Sequence, residues 1–247
     1  MALGLQAVGL DACKAGWVFA GWTGQSWELG LVGRLSDLQP RLLARSTILV
    51  DMPIGLSADG HRACDRLARQ RLGARASSVF PVPARLVLAE QAYEMANAAM
   101  KQRCGRGLSK QAFYLLPKIR ELESYLTEHP KPRGRWYECH PELCFCQFNQ
   151  GRPMRFAKKT REGQRERLEL IRDVLPEAVE DNVSALMAST TRRQLALDDV
   201  LDALALASLA VTPRRSWIKL PSDPAPRDDA GLPMQIIAPA SDCAGAA

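Results

Sequence analysis

The sequence predicts an α/β domain: a mixed five-stranded sheet flanked by helices, with a helical insertion ahead of the fifth strand. Three observations lead there. The first 34 residues hold three strand-like runs whose breaks are too short for crossover helices. A continuous apolar run follows at 47–50, of the kind buried on both faces of a sheet. Helical patterning then flanks one further short strand.

Leu5 to Leu10 is a short apolar run, and Gly16 to Trp22 and Trp27 to Val32 are rich in aromatic and β-branched residues. Ala15-Gly16 and Thr23-Gly24-Gln25 are turn signals between them, so the three strands should pair antiparallel. Ser36 suits the cap of a short helix reaching about Leu43. Thr47 to Val50 is the fourth strand, closed by Pro53 and Gly55. Residues 61–130 form the mainly helical insertion, with loops at Ser77 to Pro83 and Gly105 to Gly107. Trp136 to Cys139 is the fifth strand. Arg161 to Val174 is a charged helix with Leu168 and Ile171 facing inward, and Asp198 to Val211 is an apolar one. Residues 213–247 read as a Pro-rich tail over the surface, in which Ile236-Ile237 pairs weakly. No internal repeat is visible, and 1–247 reads as one domain.

Composition narrows the class. Apolar residues make up 47% and charged residues 24%, too apolar for a disordered chain. No apolar run reaches the about 18 residues of a membrane span. The apolar start, Ala2 to Leu10, lacks the basic flank of a signal peptide. Seven cysteines, an odd count spread widely, in a chain large enough for a core point to a reduced, cytoplasmic protein. Lys plus Arg (33) exceeds Asp plus Glu (27) by six, an excess that permits a nucleic-acid partner without requiring one.

Three apolar runs each end in one acid: Val8-Gly9-Leu10-Asp11, Ile48-Leu49-Val50-Asp51 and Trp136-Tyr137-Glu138. Each acid alone is also explicable as a turn residue. Together, on adjacent parallel strands, they would meet at one carboxyl edge, where α/β sheets bind ligands. Strands about 4.8 Å apart make such a cluster roughly 10 Å wide, the scale of a two-metal site. A fourth acid group lies at the start of the apolar helix. Asp198 suits its N-cap, Asp199 fits either cap or site, and Asp202, three residues on, sits inside a helix that is apolar all round. A buried mid-helix Asp needs a partner, so Asp202 is the functional candidate.

These residues also carry a resemblance. Val8 to Asp11 with Gly16-Trp17, Val50-Asp51-Met52-Pro53-Ile54-Gly55-Leu56, Arg62-Ala63-Cys64-Asp65, Arg69 with Leu72-Gly73, Ser77-Ser78-Val79-Phe80-Pro81, Glu138-Cys139-His140-Pro141-Glu142 and Asp199-Val200-Leu201-Asp202-Ala203 resemble the family known as domain of unknown function 429. Its members are described as predicted nucleases of ribonuclease H fold, whose element order the present chain repeats. The resemblance implies a carboxylate cluster of Asp11, Asp51 and Asp202 holding Mg²⁺ or Mn²⁺, with Glu138 as a family-specific fourth ligand. Against ribonuclease H itself, the first helix lacks a matching acid.

Other residues suggest a phosphate path. Arg62, Arg66 and Arg69 recur at i, i+4 and i+7, one face of a helix, either solvated or phosphate-binding. Ser77 and Ser78 would donate hydrogen bonds to the same phosphates, and Lys158, Lys159 and Arg165 form a second basic group. His140 fits a proton carrier, a phosphate ligand or a structural hydrogen bond. Cys139, His140, Cys144 and Cys146 lack the spacing of a zinc site. The leading expectation is a metal-dependent phosphodiesterase acting on nucleic acid. The rivals are a nucleotide-binding phosphotransfer domain, which lacks its glycine-rich loop here, and a non-catalytic nucleic-acid binder of the same fold.

Overall fold

The computed structural model describes residues 3–129, 134–175 and 178–240. Strands β1 (Leu5–Cys13), β2 (Gly16–Trp22) and β3 (Trp27–Val32) form the antiparallel meander that the short turns require. Helix α1 (Leu35–Leu38) includes Ser36 instead of being capped by it: Arg34 holds the cap position, and its N–H donates to Asp37 at 3.0 Å. Pro40 then lies in a 3₁₀ turn, Gln39–Arg41, and β4 (Leu42–Val50) starts five residues ahead of the apolar run. Leu43, Ala44 and Arg45 are exposed, so that half of the strand carries no burial signal.

Strand β1 pairs parallel with β4, β4 with β5 (Arg135–Cys139), and β5 with β7 (Ile236–Pro239), while β6 (Trp217–Leu220) is antiparallel to β7. The sheet therefore has seven strands, ordered β3-β2-β1-β4-β5-β7-β6, where the sequence predicted five. The extra two come from the segment read as a surface tail, and Ile236, Ile237 and Ala238 are buried in the core. Four-residue strands among prolines are too short to show alternation, which hides them from a reading of periodicity. Residues 241–247 of that segment, and residue 130 of the insertion, lie outside the described residues.

Helices α2 (Ala63–Leu72), α3 (Tyr93–Cys104) and α4 (Lys110–Glu128) fill the β4–β5 connection. Helices α5 (Pro141–Phe148), α6 (Arg161–Val174), α7 (Ala178–Ser189) and α8 (Leu197–Ala210) fill the connection from β5 to β6. Met100 of α3 and Leu116, Ile119 and Leu122 of α4 pack with Val8, Leu10, Phe19 and Val50 on one face of the sheet. On the other face α8 packs with Ala7, Val18, Leu49 and Ile237. Strand alternation sorts β1 between these layers: Val8 and Leu10 face α4, whereas Ala7, Gly9 and Asp11 face α8.

Gly9 sets how closely α8 approaches. A Cβ there would run into the backbone carbonyl of Ala203 and the amide nitrogen of Ala207. Backbone atoms cannot rotate aside, so Gly9→Ala is expected to cost about 1–3 kcal/mol of stability, seen as a lower urea midpoint. An unchanged midpoint would show that α8 shifts without penalty.

Among the described residues, no helix is long and apolar enough to cross a membrane. Cys13, Cys64, Cys104, Cys139 and Cys144 are free thiols.

Candidate metal centre

The parallel register of β1 and β4 sets Leu10 opposite Val50. The next residue on each strand is an aspartate, and the Asp51 N–H donates to the Leu10 carbonyl at 2.9 Å, carrying the ladder one step further. Asp51 alternates with Leu49 and Asp11 with Gly9, so both carboxylates lie on the α8 face. Helix α8, seated over Gly9, brings Asp202 to the same place. One carboxylate oxygen from each of Asp11, Asp51 and Asp202 lies within 4.8 Å of the others. Asp11 is 7% exposed and Asp202 2%, while Asp51 is half-buried. The Lys158 ammonium sits 2.5 Å from Asp202.

Burial and crowding dominate the electrostatics. Loss of solvent, then the neighbouring Asp51 and Asp202, push the Asp11 carboxyl well above the usual range. Asp202 is raised to about 6 by burial, with Lys158 pulling it down and Asp51 pushing it up. Burial followed by Asp198 raises Asp199 to about 6 as well. Lys158 is raised because the charges of Asp202, Asp11 and Asp51 outweigh its desolvation. One ammonium faces three carboxylates, leaving uncompensated negative charge that a divalent cation with a preference for oxygen would neutralise.

The sign of the pH dependence follows. An acid raised in the folded state holds its proton between the unfolded value, about 3.9, and the folded one. In that window the folded state binds more protons, so stability falls as pH rises from about 4 through about 6. With a chelator present, wild type is expected to lose stability against Asp202→Asn across that interval. A difference in urea midpoint that stays flat from pH 4 to 7 would contradict it.

A family model described as "Protein of unknown function (DUF429)" matches residues 9–225. The chain belongs to this family. The matched span includes all three converging aspartates and Lys158. No curated protein and no solved structure matches the chain.

In this DUF429 member the fourth acid does not join the other three. Glu138 pairs in register with Val50, one residue before Asp51, and successive residues of a strand face opposite sides. Its carboxylate is held by Arg62, Nη1 at 2.9 Å and Nη2 at 2.6 Å, and it accepts the Ile54 N–H at 2.7 Å. Arg62 also grips Asp65, with Nη2 at 2.5 Å and Nε at 3.1 Å. Glu138 is thus corrected from metal ligand to part of a buried ion network. The network fastens the loop after Asp51 to β5.

The arginine face is corrected too. Arg62 is the cap residue of α2, in extended backbone, and its guanidinium is buried. Arg69 donates to the Val79 carbonyl at 3.1 and 2.9 Å, and exposed Arg66 reaches Gln70 at 3.4 Å. The i, i+4, i+7 spacing assumed that Arg62 lies within the helix, whereas α2 begins one residue later and leaves Arg62 at its cap.

A cavity of about 550 Å³ opens beside the triad. Ser77, Ser78, His140, Lys158 and Lys159 line it, as do Asp198 and Asp199. His140 accepts the Glu142 N–H at Nδ1 (3.2 Å), which leaves Nε2 to donate to the Ser78 carbonyl (3.1 Å). It is a structural cap of α5, its ring nitrogens both engaged. Asp198 is not the cap of α8: Ala196 holds that position, and Asp199 accepts its N–H at 3.3 Å. Arg165 is solvated and pairs with Glu169 at 2.9 Å. Arg167 is the buried arginine of α6, paired with Glu142. Arg75 of the 3₁₀ turn after α2, Phe80, and Gln111 and Leu115 of α4 also line the cavity. No sequence signal marks the α4 pair, since only the packing of the insertion brings it there. Among the described residues, the three aspartates are the group of three or more ligand atoms that converges; the cysteines around His140 do not.

Proposed function

We propose that the protein is a metal-dependent nuclease of ribonuclease H-like fold, cleaving phosphodiester bonds of nucleic acid by two-metal chemistry. The convergence of Asp11, Asp51 and Asp202 beside an open cavity carries the reading. The core order β3-β2-β1-β4-β5, with β2 antiparallel to its neighbours, agrees with the ribonuclease H arrangement that the resemblance implies. Hard carboxylate donors suit Mg²⁺ and Mn²⁺. Such ions supply positive charge to the phosphodiester and acidify a bound water.

The chain's own residues do the rest. Asp11, Asp51 and Asp202 would hold the cations. Lys158, paired with Asp202, places a positive charge on the same wall, and Lys159, Ser77 and Ser78 would offer donors for phosphate oxygens. Calorimetric titration with Mn²⁺, alongside incubation of DNA and RNA in Mg²⁺, Mn²⁺ or EDTA, tests the reading. Saturable Mn²⁺ binding and cleavage confined to the metal-containing samples are expected. Absence of both, or cleavage that survives EDTA, would refute it.

A further inference from the structure

We propose that a second groove, adjoining the metal centre, binds an unpaired nucleic-acid strand, with Tyr114 stacking on a base and Lys14, Lys159 and Arg192 on phosphates. The groove has a volume of about 660 Å³. It shares Ala12, Leu115, Lys159, Asp198 and Asp199 with the cavity beside the triad, so the two are continuous. Its cations and its exposed ring come from four separate places: Lys14 in the β1–β2 turn, Tyr114 on α4, Lys159 between α5 and α6, and Arg192 between α7 and α8.

Two observations point to this ligand. The first is the state of the cations. Lys158, Arg75 and Lys118 are each held by a carboxylate, whereas exposed Lys14, Lys159 and Arg192 form no ion pair among the described residues. Three such cations around one groove suit an anionic chain. The second is Tyr114. Helix α4 buries Ala112, Leu116 and Ile119 in the core, and Tyr114 on its outer side is 73% exposed. Its ring meets Phe113 edge-on, with centroids 5.9 Å apart. An exposed aromatic beside open cations is the pairing that single-strand binders use, because an unstacked base offers its π-face. Bases inside a duplex are already stacked, which selects for a single strand. The carboxylates at the junction do not block the path: Asp199 is engaged with the Ala196 N–H, and both acids adjoin the place where cations would sit.

The inference rests on the nuclease reading only for which part of the substrate lies at the aspartates. Strand binding is measured without cleavage. Fluorescence anisotropy of the full chain with labelled single-stranded DNA, single-stranded RNA and a duplex of the same sequence, in EDTA and in Ca²⁺, is the experiment. Tighter binding of a single strand than of the duplex is expected, the DNA and RNA arms showing which sugar is taken. Tyr114→Ala should weaken single-strand binding about ten-fold and leave duplex binding unchanged. Lys14→Gln with Arg192→Gln should flatten the dependence of log K on log salt by about 0.7 for each phosphate no longer neutralised. Equal affinity for strand and duplex, or unaltered binding by these variants, overturns the proposal. Strand binding with this pattern, but neither Mn²⁺ binding nor cleavage in Mg²⁺ or Mn²⁺, leaves the groove standing and sinks the nuclease reading. Cleavage that the groove variants do not alter in affinity or KM does the reverse.

Discussion

Asp11→Asn is expected to lower metal-dependent cleavage at least about a hundred-fold, because removing one ligand from a catalytic cation forfeits several kcal/mol at the transition state and each 1.36 kcal/mol is tenfold. Asp51→Asn should do the same, since the two residues are neighbours on paired strands and face the same helix. Neither change should harm the fold. Asp11 is buried among like charges that raise its carboxyl, so a neutral amide removes repulsion, and the metal-free protein should keep or gain stability. Loss of Mn²⁺ binding with an unchanged or higher urea midpoint is the combined result to look for. Unchanged turnover would take Asp11 out of the mechanism.

Arg62→Met should have the largest effect on stability, about 3–5 kcal/mol, because it strands two buried carboxylates. Arg62 pairs with Asp65 and Glu138 at once and also donates to the Gly55 carbonyl at 3.0 Å. Adding Asp65→Asn and Glu138→Gln removes the stranded charges and keeps an acceptor for the Ile54 N–H. That triple variant is expected to recover much of the loss. Glu138→Gln alone should retain Mn²⁺ affinity, in contrast to Asp11→Asn. Equal loss of metal binding in both would return Glu138 to the metal site.

Much of the site was legible in the residues. Asp11 and Asp51 close apolar strands, and Asp202 interrupts an apolar helix; burial without a local partner is visible in such patterns. The meander was legible because its turns are too short for any other connection. Glu138 stood out by the same signal as Asp11 and was misplaced. Its strand end is one residue out of step with Asp51, and one residue turns a side chain to the opposite layer. Arg62 looked like surface charge because its two acids lie 3 and 76 residues away, and only the second distance closes by folding. Strands β6 and β7 were hidden because four residues among prolines show no period. Composition and local pattern thus determined which residues would be buried and which acids would need partners. The register of neighbouring strands and the packing of the insertion decided which partners they found. Alternation along a strand says only that faces alternate; the hydrogen-bonded neighbour settles which face is which.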